Sequence, residues 1–139
     1  VIKAIVRRIF LITGDGELAE GSNWEAALAA AHYGLDNLVI INDKNNLQLT
    51  GPTREIMNTD PLADKWKAFG MTVTECQGND MASVVATLEG LKQEGKPNVI
   101  IANTTKGAGI SFIQGRPEWH HRVPKGEEIA LALEELKDE

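Results

Sequence analysis

Short apolar runs alternate with stretches of helical spacing along most of this chain. Ile9 to Thr13 (IFLIT) is apolar, rich in β-branched residues and followed by glycines, so it predicts a buried strand. A helix signal follows. Ser22 or Asn23 can cap it, and Glu25 stands three residues after Ser22 as a capping box requires. Trp24, Ala27, Leu28 and Ala31 share one helical face, and Gly34 ends the element. Leu38 to Ile41 predicts a second buried strand. After a Gly51-Pro52 break, Asp60-Pro61 reads as a capping Asp with Pro at the first helical position, ahead of Leu62, Trp66 and Phe69 and a stop at Gly70. Met71 to Cys76 predicts strand three. Asp80 caps a helix bearing Val84, Val85, Leu88 and Leu91, closed by Gly95. Val99 to Ala102 predicts strand four, Lys106 to Lys125 a long loop with paired histidines, and Glu127 to Leu136 an acidic helix.

This alternation predicts an α/β fold: a three-layer parallel sheet with helices on both faces and right-handed crossovers. In such sheets ligands bind beyond the carboxyl ends of the strands. Three polar patches fall there: Gly14 to Gly16, Asp43 to Asn46, and Thr104 to Gly109. At 139 residues the chain suits a single domain, 1–139. A net charge of -6 argues against a nucleic-acid binder that relies on a broad basic surface. It leaves room for a local anion site built from backbone amides and a metal ion. No run is long enough to span a bilayer, and VIKAIVRRIF is interrupted by Lys3, Arg7 and Arg8 with no cleavage site after it, so a cytoplasmic location is expected. Cys76, the single cysteine, reads as a strand thiol.

The patches carry chemistry. Asp15 offers a carboxylate, and Asn45 or Asn46 a neutral carbonyl oxygen, which are hard ligands for Mg²⁺ or Ca²⁺. Mg²⁺ takes one or two carboxylates and completes its octahedron with phosphate and water. Gly14 and Gly16 let the backbone approach a phosphate closely. No Walker pattern and no GxGxxG follows strand one, so an ordinary nucleotide loop fits poorly. Taken singly, Gly-Asp-Gly and Asn-Asn are also ordinary turn sequences, Glu20 a helix-start carboxylate, and His120 and His121 surface residues. Their placement at one sheet edge is what raises them.

GDG, then a helix, a strand and an Asn pair about thirty residues on, resembles the thiamine-diphosphate-binding motif. The wider stretch GDGELAEGSNWEAALAAAHYGLDNLVIINDKNNLQLTG resembles transketolase, particularly the type made as two separate subunits. NTTKGAGISF and PEWHHRVP resemble the later part of that family's diphosphate-binding half. The resemblance implies a thiamine-diphosphate-binding fold, truncated at its N-terminal side, with thiamine diphosphate and Mg²⁺ (or Ca²⁺) as cofactors. Asp15 and Asn45 would ligate the metal through side chains, and Leu47 through its carbonyl. Gly14, Gly16 and Glu17 would meet the diphosphate, Leu49 the cofactor rings, and Lys106 the phosphates. Glu20 would lie near the subunit interface. One of His120 and His121 would reach the diphosphate and the substrate, and the implied catalytic set is Glu20, His120 and His121.

The same resemblance implies partners. A pyrimidine-binding half, as a domain or a separate subunit, would supply the glutamate that ionises the cofactor, within a homo- or hetero-oligomer acting on sugar phosphates. Alone, the chain is expected to be inactive. Sheet faces are expected to be exposed, which favours self-association. Alternative readings are another thiamine-diphosphate enzyme (1-deoxyxylulose-5-phosphate synthase or a 2-oxoacid dehydrogenase component) and a non-catalytic α/β interaction module.

Overall fold

A computed structural model describes residues 7–137. The sequence features of residues 1–6 and 138–139 lie outside the described residues. In chain order the elements are β1 (Ile9–Gly14), α1 (Gly21–His32), β2 (Leu38–Lys44), a small hairpin of β3 (Leu47–Gln48) and β4 (Gly51–Pro52), α2 (Thr53–Ile56), α3 (Leu62–Ala68), β5 (Thr72–Gln77), α4 (Met81–Glu89), β6 (Asn98–Asn103) and α5 (Glu127–Glu135). β1, β2, β6 and β5, in that spatial order, form one parallel sheet. Parallel pairing aligns the strand ends. Gly14 stands beside Asp43, and Asp43 beside Ala102.

Alternation along the central strands builds a core on each face. Ile40, Val99 and Ile101 pack with Ala27 and Ala30 of α1 and with Leu62 and Trp66 of α3. Val39, Ile100, Ala102 and Cys76 pack on the other face with Val84 and Leu88 of α4 and with Leu91. Trp24 lies against Trp66 and Phe69, with ring centroids 4.8 and 5.3 Å apart. These aromatic pairs lock α1 to α3. Burial raises the Cys76 thiol, as suits a strand residue facing the core.

Several boundaries differ from the sequence expectation, each for a local reason. α1 begins at Gly21 with Glu20 as its N-cap, whose carboxylate accepts from the Ser22 N–H at 3.4 Å, so the expected Ser22 capping box does not form. Leu28 faces solvent, and Ala30 takes the buried place beside Ala27. The Asp60–Pro61 peptide is cis, Pro61 is the N-cap of α3, and the Asp60 carboxylate bonds Lys44 instead of capping. α4 stops at Gly90, not Gly95, yet Leu91 still reaches the core. β3, β4 and α2 carry no periodic signal because they are too short to have a period.

The largest difference is β1. Ile9, Phe10, Leu11 and Ile12 are all exposed, Ile12 by 70%. Its composition predicts burial on both faces, but β1 is a sheet edge, and α3 and α4 pack over β5 at the opposite edge.

The Lys44–Asp60 pair bridges β2 to the start of α3 at 2.8 Å. The hydrogen bond and charge of Lys44 hold the Asp60 carboxyl below its usual 3.8. Asp60 is half-exposed, so the pair contributes no more than about 1 kcal/mol. Because the folded value is depressed, this stability is present above 3.8 and is lost as pH falls through the folded value. Asp60→Asn is expected to lower the denaturation midpoint slightly at neutral pH and to match the parent at about pH 2. Urea titrations at the two pH values check it.

Candidate functional site

Beyond the carboxyl ends of β1 and β2 lies a cavity of about 470 Å³. Three segments line it. Gly14, Asp15, Gly16 and Glu17 come from the turn after β1. Asp43, Asn45, Leu47, Gln48 and Leu49 come from the end of β2 and the hairpin after it. Lys106 and His120 come from the long loop after β6.

Backbone bonds tie the first two segments together. The Asp15 N–H donates to the Asp43 carbonyl at 3.1 Å, and Asp15 Oδ2 accepts from the Asn46 N–H at 2.6 Å. Asn46 can offer that N–H because it sits at φ 60°, an uncommon conformation that Asn tolerates. Leu49 also has positive φ, at 40°, which is strained for a branched side chain. Asp15 is only 2% exposed. Burial raises its pKa above 3.8 and the nearby Asp43 charge adds to the rise, against the backbone N–H bonds that lower it.

The glycine turn is closely packed. Glu17 Oε2 accepts from the Gly14 N–H at 2.7 Å. A Cβ on Gly16 would come 2.6 Å from Gln48 Cβ, so only glycine lets the turn and the hairpin approach this far. Among the described residues, Gln48 Oε1 is buried there without a hydrogen-bond partner. In the long loop, Trp119 is buried, stacks edge-on to Phe112 at 5.4 Å and carries the Arg122 guanidinium 4.2 Å above its ring. Glu135 of α5 accepts from both the N–H and the hydroxyl of Ser111, at 2.6 Å each. These contacts anchor the loop that presents Lys106 and His120.

The structure thus brings Gly14, Asp15, Gly16, Glu17, Asn45, Leu47, Leu49, Lys106 and His120 to one cavity. His121 is not among the lining residues. Its ring stands edge-on to His120 at 4.4 Å, and both rings are exposed. Glu20 also lies off the lining, at the start of α1. Two lining residues escaped the sequence reading as site groups. Asp43 was legible only as part of a polar patch at a strand end. Gln48 had no signal, because its place depends on the hairpin that turns it toward Gly16.

Among the described residues no group of three or more His, Cys, Asp or Glu is placed to hold a metal. The donors expected here are of another kind: the Asp15 carboxylate, the Asn45 amide oxygen and the Leu47 main-chain carbonyl would together suit Mg²⁺ completed by phosphate oxygens. The state of Asp15 fits that group, since a buried carboxylate with no cation partner among its bonds is the place where a divalent ion relieves the cost of burial. No helix among the described residues is long and apolar enough to cross a membrane.

Comparison with known proteins identifies the family. An apulose-4-phosphate transketolase subunit from Actinobacillus succinogenes is 73% identical, matching over 96% of this chain and 48% of its own length. The 6-deoxy-6-sulfo-D-fructose transketolase subunit of a Clostridium species is 41% identical over 94% of this chain and 48% of its own. The chain therefore spans about half the length of these curated relatives. Among solved structures, transketolase from Campylobacter jejuni superposes with a TM-score of 0.87 at 32% identity, covering 94% of this chain and 20% of that one. The family described as transketolase, thiamine diphosphate binding domain, matches residues 2–137, and the chain belongs to it.

Proposed function

We propose that this chain is the diphosphate- and Mg²⁺-binding portion of a split transketolase that moves a two-carbon ketol unit between sugar phosphates together with a pyrimidine-binding partner. The observation that carries this reading is the meeting of Asp15, Asn45 and Leu47 in one cavity beside the glycine turn. Asp15 and Asn45 would hold the metal through side chains, and Leu47 through its carbonyl. Gly16 would admit the diphosphate to the turn, Lys106 would offset its charge, and Leu49 would face the cofactor rings. His120, which lines the cavity, would reach the diphosphate and the substrate; Glu20, at the surface, would meet a partner chain. When bound, thiamine diphosphate supplies the nucleophilic carbon that carries the two-carbon unit. The relatives' names point to a ketose with an anionic end, phosphate in one case and a sulfo group in the other.

The 139-residue polypeptide alone is expected to show no ketol transfer with thiamine diphosphate and Mg²⁺. Addition of a pyrimidine-binding subunit is expected to restore it. A coupled assay with apulose 4-phosphate, with and without that subunit, checks both. Transfer by the polypeptide alone would sink the two-part reading.

A further inference from the structure

Asp43 faces the same cavity as Asp15 but is engaged quite differently. Asp15 keeps one carboxylate oxygen outside its bond to the Asn46 N–H. Asp43 has both oxygens occupied by side chains: Oδ1 accepts from the Thr104 hydroxyl and Oδ2 from the Asn45 amide Nδ2 at 3.4 Å. Thr104 is itself held. Its N–H donates to the Lys44 carbonyl at 3.1 Å, and a Cβ on Gly78 would come 2.4 Å from its Cγ2. The methyl therefore lies against Gly78 and the hydroxyl turns to Asp43.

The consequence falls on Asn45. The Asn45 Nδ2 donates to Asp43 Oδ2, so the NH₂ end of the amide faces Asp43. The amide oxygen then points the other way, where it accepts from the Leu47 N–H at 3.0 Å and keeps a second lone pair. One side chain thus orders both the Asn45 oxygen and the Leu47 peptide. We propose that Asp43, locked by Thr104, is a positioning residue that fixes which end of the Asn45 amide faces the metal. This inference rests on the site assignment under the proposed function.

The test uses Mn²⁺ as probe. Free Mn²⁺ is followed by electron paramagnetic resonance during titration of the chain in the presence of thiamine diphosphate, and melting curves are recorded in parallel. Asp43→Asn lets either amide end face Asn45, and Thr104→Val removes the donor at nearly constant shape. Both are expected to weaken Mn²⁺ binding by about 10–100-fold, as loss of outer-shell partners does. Thr104→Ser is expected to restore it, which a purely packing role for the Thr104 methyl would not allow. Should Asp43→Asn fail to fold, the Val and Ser variants decide. Parent-like Mn²⁺ binding in Thr104→Val, with binding lost in Asp15→Asn, overturns the positioning role alone. If the parent binds no better than Asp15→Asn, the site assignment fails and takes this inference with it.

Discussion

Asp15→Asn is expected to abolish Mg²⁺-dependent binding of thiamine diphosphate and, at the same time, to raise the melting temperature of the metal-free protein. The two effects have one cause. Asp15 is 2% exposed and its carboxyl is raised by burial, with the Asp43 charge adding to the rise. A raised folded value means that the fold prefers the protonated form. The associated stability is full below the ordinary value of 3.8 and is lost as pH rises through the folded value. At neutral pH the metal-free protein therefore carries a penalty that Asn, neutral at every pH, does not. Asn keeps an acceptor for the Asn46 N–H, so the turn stays bonded. The charge that offsets a divalent ion is gone, and the loss in affinity should exceed the ~10–100-fold that outer-shell changes produce. Calorimetry with cofactor and Mg²⁺, together with melting in chelator at neutral and acid pH, checks both halves. A variant that melts below the parent in chelator at neutral pH, or that still binds in a Mg²⁺-dependent way, would contradict this account.

Gly16→Ala is the second large effect. Its new Cβ would stand 2.6 Å from Gln48 Cβ and 3.6 Å from Gln48 Cα. Gln48 is anchored in the β3–β4 hairpin between Leu47 and Leu49, so it cannot yield without shifting both. Overpacking of this kind costs about 1–3 kcal/mol. The shift also moves the Leu47 carbonyl, one of the three assigned metal donors, so cofactor affinity is expected to fall by at least ~10-fold. Gly14→Ala is the control. Its Cβ would meet only Glu17 Oε2, at an ordinary 3.6 Å, and the change should stay within about 0.5 kcal/mol. Denaturation midpoints and cofactor titrations of the two variants separate close approach from mere glycine content. Equal losses in both would remove the special role of Gly16.

The family match places the chain among transketolase thiamine-diphosphate-binding domains, and the chain spans only about half of its curated relatives. Phe10 and Ile12 are 52% and 70% exposed on a strand whose composition is that of a buried one. Composition records that a side chain avoids water, but not which element covers it.

Much of the molecule was determined by sequence alone. Strand and helix periods set four parallel strands, helices on both faces and the meeting of strand ends, because period and burial follow from local chain geometry. Asp15 and Asn45 were legible for the same reason: each directly follows a strand, and parallel pairing brings such strand ends together. Only the tertiary structure decided the rest. It separated His120 from His121, made Glu20 the cap of α1, and brought in Gln48 through a hairpin too short to have a period. It also divided two similar acids. Asp15 accepts from the backbone N–H of Asn46, whereas Asp43 accepts from the side chains of Asn45 and of Thr104, the latter sixty-one residues away in the chain. No local pattern carries that distinction, because the Thr104 hydroxyl that bonds Asp43 arrives from the loop after β6.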